Sequence, residues 1–77
     1  MKTIELLHPK RNPILFPLAG IQAIVLQPKR PEQAQMNDLL VITVQGLKEP
    51  YTYEGPGARR AYEKIRELME ATTVNLD

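Results

Sequence analysis

The sequence contains no cysteine, no serine and no tryptophan, and its one histidine is His8. Without cysteine, neither a disulfide nor a thiolate metal ligand can form. A lone imidazole per chain cannot build a histidine zinc site. The missing cysteine and serine also remove the usual nucleophiles of covalent catalysis, and no motif surrounds the threonines. Glu5, Glu32, Asp38, Glu49 and Glu54 are scattered over loops and turns, with no spacing that pairs two carboxylates for acid–base work. No enzyme activity, cofactor or metal is expected. His8, beside Pro9 and without an acid or nucleophile near it in sequence, is expected to be an exposed loop residue.

Long hydrophobic runs are missing too. The most apolar stretch, residues 14–26 ("ILFPLAGIQAIVL"), is interrupted by Pro17, Gly20 and Gln22. It falls short of the roughly 20 residues that cross a bilayer. No small-residue cleavage site follows it, so it reads as buried strand rather than a secretory segment. The expectation is a cytoplasmic protein without a membrane partner.

A chain of 77 residues is one domain, 1–77. A domain of this size buries only about 60–65% of its unfolded surface and is marginal alone. With disulfides and metals excluded, self-association is the stabilising device left.

Net charge is only +1, but the charges are unevenly placed. Residues 1–31 carry a net +4 and residues 32–77 a net −3. Two proline-stiffened loops, "HPKRNP" and "QPKRPE", repeat the tripeptide Pro-Lys-Arg. If the chain reverses at Leu18–Gly20, Lys10, Arg11, Lys29 and Arg30 gather at one end of a sheet. Such a cluster suits a phosphate backbone and predicts binding that weakens steeply with salt. Basic loops that serve only solubility are commoner.

Strands are expected over residues 3–7, 14–17, 21–27, 39–45 and 50–54. Each run is short, rich in Ile, Leu, Val, Thr or Tyr, and bounded by Pro, Gly or polar clusters. Pro17 cannot donate to a ladder and belongs at an edge or an end. The polar stretch Pro28–Asp38 is a long exposed connection. A helix is expected over residues 56–71, because Ala58, Ala61, Tyr62, Ile65, Leu68 and Met69 recur at helical period. The tail 72–77 is too polar and β-branched to extend it. The fold class is therefore α+β, a meander-like antiparallel sheet of four to five strands with one C-terminal amphipathic helix on one face.

That arrangement leaves too much apolar surface. Leu40, Ile42 and Val44 alternate with Leu39, Val41 and Thr43, so both faces of this strand are apolar, and strict alternation places Ile21, Ala23 and Val25 opposite Ile24 and Leu26. One helix covers one face, and an open apolar face is rare in monomers. Leu39, Val41, Tyr51 and Tyr53 are the candidate interface of a homo-oligomer, with a dimer favoured.

The stretch "GPGARRAY" superficially matches a phosphate cradle. It fits neither GxGxxG nor GxxxxGK[ST], and Gly-Pro ahead of a helix is a common way to start one. The helix start explains Gly55 and Pro56 but not Arg59 and Arg60, whose charges oppose the helix dipole unless Glu54 and Glu63 compensate them. Arg59 and Arg60 therefore join Lys10, Arg11, Lys29 and Arg30 as candidate anion or nucleic-acid contacts. Tyr51 and Tyr53, on one strand face, could stack on bases, although tyrosines so placed are more often core or interface.

In element order, several antiparallel strands and then one helix, the chain resembles the small single-strand-binding transcriptional coactivators. The resemblance implies dimers that bind single strands, but this chain lacks their tryptophans and strongly basic face. Two function classes follow. The first is a non-catalytic, self-associating module that can engage a protein partner. The alternative is weak single-stranded nucleic-acid binding through the Pro-Lys-Arg loops.

Overall fold

A computed structural model describes residues 2–28 and 37–76 of the chain. It is an α+β fold, but its strands form two antiparallel sheets rather than one. β1 (Thr3–Leu6) and β2 (Ile14–Pro17) make a two-stranded hairpin, with Ile4 opposite Phe16. Pro17 lacks an N–H, and the Leu18 N–H takes over by donating to the Lys2 carbonyl at 2.9 Å. A 3-10 turn over Leu18–Gly20 then sends the chain into the second sheet. β3 (Ile21–Gln27), β4 (Leu39–Val44) and β5 (Tyr51–Glu54) form that sheet as a meander in the order β3-β4-β5. The expected single sheet fails because β2 pairs with β1 and not with β3.

β4 is the spine of the core. Leu40, Ile42 and Val44 are buried, Ile42 completely, and the alternate residues are half-buried. β5 puts Tyr53 opposite Leu40 and Tyr51 opposite Ile42, so both tyrosines lie on this inner face. On β3, Ile21 pairs with Val44 and Ala23 with Thr43, so the register shifts by one at Gln22. This β-bulge corrects the expected pattern. One extra residue turns Ile21 onto the same face as Ile24 and Leu26, and Gln22 is left exposed. The bulge therefore gathers three β3 side chains over the core where strict alternation would give two.

The helix α1 spans Ala58–Leu68, shorter at both ends than residues 56–71. It packs on β3 and β4, with Ala58 and Ile65 buried. Ile4 and Phe16 of the hairpin belong to the same buried cluster. Helix and hairpin thus share one layer over the inner face. At its far end the helix closes with a Schellman pair, in which the Glu70 N–H donates to the Glu67 carbonyl at 3.1 Å and the Ala71 N–H to the Arg66 carbonyl at 3.2 Å. Glu70 occupies the left-handed position there, with φ 54°. Glu63–Arg66, Lys64–Glu67 and Arg66–Glu70 are spaced to pair across one helical turn, but among the described residues none of them forms an ion pair, and the Arg66 guanidinium donates to the Thr73 hydroxyl instead.

The opposite face of the three-stranded sheet presents Ala23, Val25 and Gln27 of β3, Leu39, Val41 and Thr43 of β4, and Thr52 and Glu54 of β5, with the polar Gln27 and Glu54 flanking Leu39 at one end. No described element lies on it. The molecule is accordingly a slab of 41 × 36 × 21 Å with a radius of gyration of 13.2 Å, against about 11.5 Å for a compact chain of this length. Its accessible surface is 6271 Å², whereas a compact monomer of 8.8 kDa exposes about 4,800 Å². The exposed tail, residues 71–76, contributes to that excess.

Two substitutions test this packing. Ile42→Ala should cost about 3 kcal/mol in denaturant unfolding, because a fully buried side chain leaves a cavity on the central strand. Glu70→Gly should instead raise stability by about 1 kcal/mol by relieving the left-handed backbone at the helix end. That gain corresponds to roughly 4–8 °C in thermal midpoint for a domain of this size. A lowered midpoint in Glu70→Gly would remove the Schellman closure from this account.

Candidate functional site

The glycine pair ahead of the helix answers to tyrosine packing. Tyr53 leans across Gly55, which is buried. A methyl group added at Gly55 would overlap the Tyr53 hydroxyl and stand 2.5 Å from its Cζ. Glycine is required here for close approach. The Gly55 carbonyl accepts from the Ala58 N–H at 3.1 Å, and the Gly57 carbonyl accepts from Ala61 at 2.9 Å, which starts the helix. Gly57 has φ −90° and gives the helix no side-chain cap, and its first turn holds no acid.

Asp38 stands at this helix start. Its carbonyl accepts from the Gly55 N–H at 3.3 Å, and its carboxylate Oδ2 lies 3.3 Å from Arg59 Nε. The Asp38 side chain is 19% exposed and that of Arg59 59% exposed. An exposed pair of this kind contributes about 0.2–1 kcal/mol. Asp38 therefore meets the charge of Arg59, a role the sequence suggested for Glu54 and Glu63. The cleft beside the helix start is lined by Asn37, Asp38, Gly55 and Pro56, so a carboxylate already stands where a phosphate would approach. Arg60 is exposed on the helix surface.

His8 is not the free loop residue expected. It is half-buried at the start of the β1–β2 turn, with its ring centroid 5.4 Å from Tyr53 and 6.4 Å from Tyr51. Both contacts are edge-to-face, at 89° and 75° respectively. The Lys10 N–H donates to His8 Nδ1 at 3.0 Å. In the neutral ring that bond places the proton on Nε2. Arg11 rises from the same turn and sets its guanidinium carbon 5.4 Å from the Tyr51 ring centroid, a cation–π contact. His8, Tyr51 and Tyr53 line an open pocket of about 200 Å³ together with Leu6, Leu40 and Ala61, and Arg11 stands outside that lining, over the Tyr51 ring.

The sequence-based candidates thus separate. Lys10 is exposed and Arg11 stacked on Tyr51 in the hairpin turn, while Lys29 and Arg30 lie outside the described residues. The two tyrosines face the helix and hairpin, not an open platform. Leu39 and Val41 lie on the other face of the same sheet, so the four residues grouped as one interface occupy two opposite surfaces. The cluster of His8 with Tyr51 and Tyr53 had no linear signal, because more than 40 residues separate its members in the chain. Among the described residues no group of three metal-ligating side chains converges, and no helix is long and apolar enough to cross a membrane.

The chain matches no protein-family model, no curated protein and no solved structure.

Gly55→Ala should destabilise the fold by about 2 kcal/mol, since the Tyr53 ring has to leave its place. In a Tyr53→Ala background the same change should cost under about 0.5 kcal/mol, a coupling that a double-mutant cycle by urea unfolding measures directly. Equal costs in both backgrounds would mean that the ring does not set the glycine requirement.

Proposed function

We propose that the chain is a non-catalytic, self-associating module whose copies stack through the outer face of the three-stranded sheet to form a dimer. The observation that carries this reading is the bare face of Ala23, Val25, Leu39, Val41, Thr43 and Thr52, with Val25 47% exposed. Five of these side chains are β-branched or leucine, and the carboxylate on the face, Glu54, stands at the strand end opposite Leu39, away from the centre. A second copy related by a two-fold axis meets the same surface, so like charges are not opposed at the centre. Two such sheets would pack about 10 Å apart as a small sandwich. A stable interface takes about 800 Å² from each partner. The six side chains supply the apolar centre of such a contact, and exposed neighbours such as Gln22 and Gln27 belong to its rim.

Self-association also fits the thermodynamic position of the chain. Eight buried hydrophobic residues form the core, drawn from a domain with neither disulfide nor metal-ligand cluster among the described residues. Burying a second apolar surface adds about 25 cal/mol for every Å² removed from water. In this reading a protein partner, where there is one, meets the dimer on its remaining surfaces.

Sedimentation equilibrium over about 1–100 μM, a range spanning typical dimer affinities, should report twice the 8.8 kDa of the chain. Val41 sits on the central strand, so Val41→Lys places two charges at the two-fold contact and should yield a folded monomer. A wild-type protein that is monomeric throughout that range, or a dimer that survives Val41→Lys, sinks the proposal.

A further inference from the structure

The pocket between the hairpin turn and β5 lies on the inner side of the sheet, away from the proposed dimer face. We propose that it is a binding site for a small aromatic carboxylate, a single planar ring bearing one anionic group.

Size sets the first limit. An apolar cavity of about 150 Å³ holds one benzene ring, and this pocket offers about 200 Å³. That leaves space for a ring and a short substituent, and little more. Leu6, Leu40 and Ala61 supply apolar wall, while Tyr51, Tyr53 and His8 supply aromatic wall. The histidine ring stands nearly perpendicular to both tyrosines. Rings at right angles present an edge and a face to the same space, and a planar aromatic guest can meet both in favourable geometry.

Charge sets the second limit. The turn that closes the pocket carries His8, Lys10 and Arg11 and no acid. Arg11 makes its recorded side-chain contact with the face of Tyr51, and no carboxylate pairs with it among the described residues. A guanidinium held over Tyr51, itself a wall of the pocket, keeps its N–H donors for a planar anion. His8 Nδ1 already accepts from Lys10, which leaves Nε2–H as a second donor at the pocket wall. Gly57 also forms part of that wall, at the start of the helix. An aliphatic acid would use the cation but not the rings, and inorganic phosphate would use neither the rings nor the apolar wall.

The test is a titration of the full chain, followed by amide chemical shifts, with benzoate, benzamide, hexanoate and inorganic phosphate. Benzoate should move the resonances of His8, Leu40, Tyr53 and Ala61. Benzamide and hexanoate should bind at least about tenfold more weakly, a difference one lost charge-assisted or aromatic contact can produce. Arg11→Gln, an exposed change that leaves the core alone, should reduce benzoate to the affinity of benzamide and leave benzamide unaffected. Ala61→Leu should fill the pocket and abolish both. Three results overturn the proposal: no shift with benzoate, equal binding of hexanoate or phosphate, or an Arg11→Gln protein that binds benzoate like the wild type. Because Val41 is on the far face, a Val41→Lys monomer should keep its benzoate affinity, so failure here and failure of the dimer can be told apart.

Discussion

β4 sits between two strands with apolar side chains on both of its faces, and the chain provides only one covering layer among its described residues. The rest of the architecture answers that mismatch. The helix alone reaches β3 and β4, so the β1–β2 hairpin folds onto the same side and closes the core with Ile4 and Phe16. The bulge at Gln22 serves the same end. By shifting the register once, it puts Ile21 under the shared layer beside Val44. Without it a buried isoleucine would change faces, and the side chain opposite would be the small Ala23 or an exposed glutamine. Concentrating large apolar groups on one face leaves the other with smaller, β-branched ones, which suit a flat contact between sheets.

Tyr53 connects the sheet to the helix. Its ring lies on the inner face beside Leu40, its hydroxyl end covers Gly55, and His8 stands edge-on against it. Sheet, hairpin turn and helix start therefore meet at one side chain. Asp38 repeats this convergence on the polar side, binding the Gly55 N–H through its carbonyl and Arg59 through its carboxylate. The first turn of the helix, without a cap or an acid of its own, is held by contacts from residues distant in sequence. That is why two arginines are tolerated there. One is met by Asp38, and the other stays in solvent, where its repulsion with the dipole is weakened by salt.

Much of this was legible in the sequence, for identifiable reasons. The C-terminal helix and the strand at Leu39–Val44 show because their periodicity is long enough to distinguish 3.6 from 2. The break at Leu18–Gly20 shows because Pro17 and Gly20 punctuate it. Strand partners do not show. β2 is four residues long and equally able to pair forward or back, and its choice of β1 depends on Ile4 meeting Phe16 across a turn. The bulge leaves no trace either, since Gln22 looks like any polar residue of an alternating strand. His8 looks isolated in the sequence because its partners, Tyr51 and Tyr53, arrive from the other end of the domain. The start of the helix is blurred in the sequence because Pro56 suits a first helical turn, whereas here Pro56 and Gly57 form the turn before the helix.

The two faces of the three-stranded sheet have different physical characters, and this bears on how they could work together. The outer face is apolar and flat at its centre, with Gln27 and Glu54 at one end, which favours an extended contact with a like surface. The inner face holds a small aromatic pocket beside a cationic turn, which favours one small anion. Both depend on the same strand pair, β4 and β5, and stabilising either face stabilises that pair. A ligand or a partner that binds only the folded state raises its stability in proportion to the logarithm of its concentration over its dissociation constant. Coupling between the faces then needs no moving part. In a domain with so small a core, a second copy that orders β4 and β5 would lower the cost of ordering the pocket, and an occupied pocket would strengthen the contact between copies.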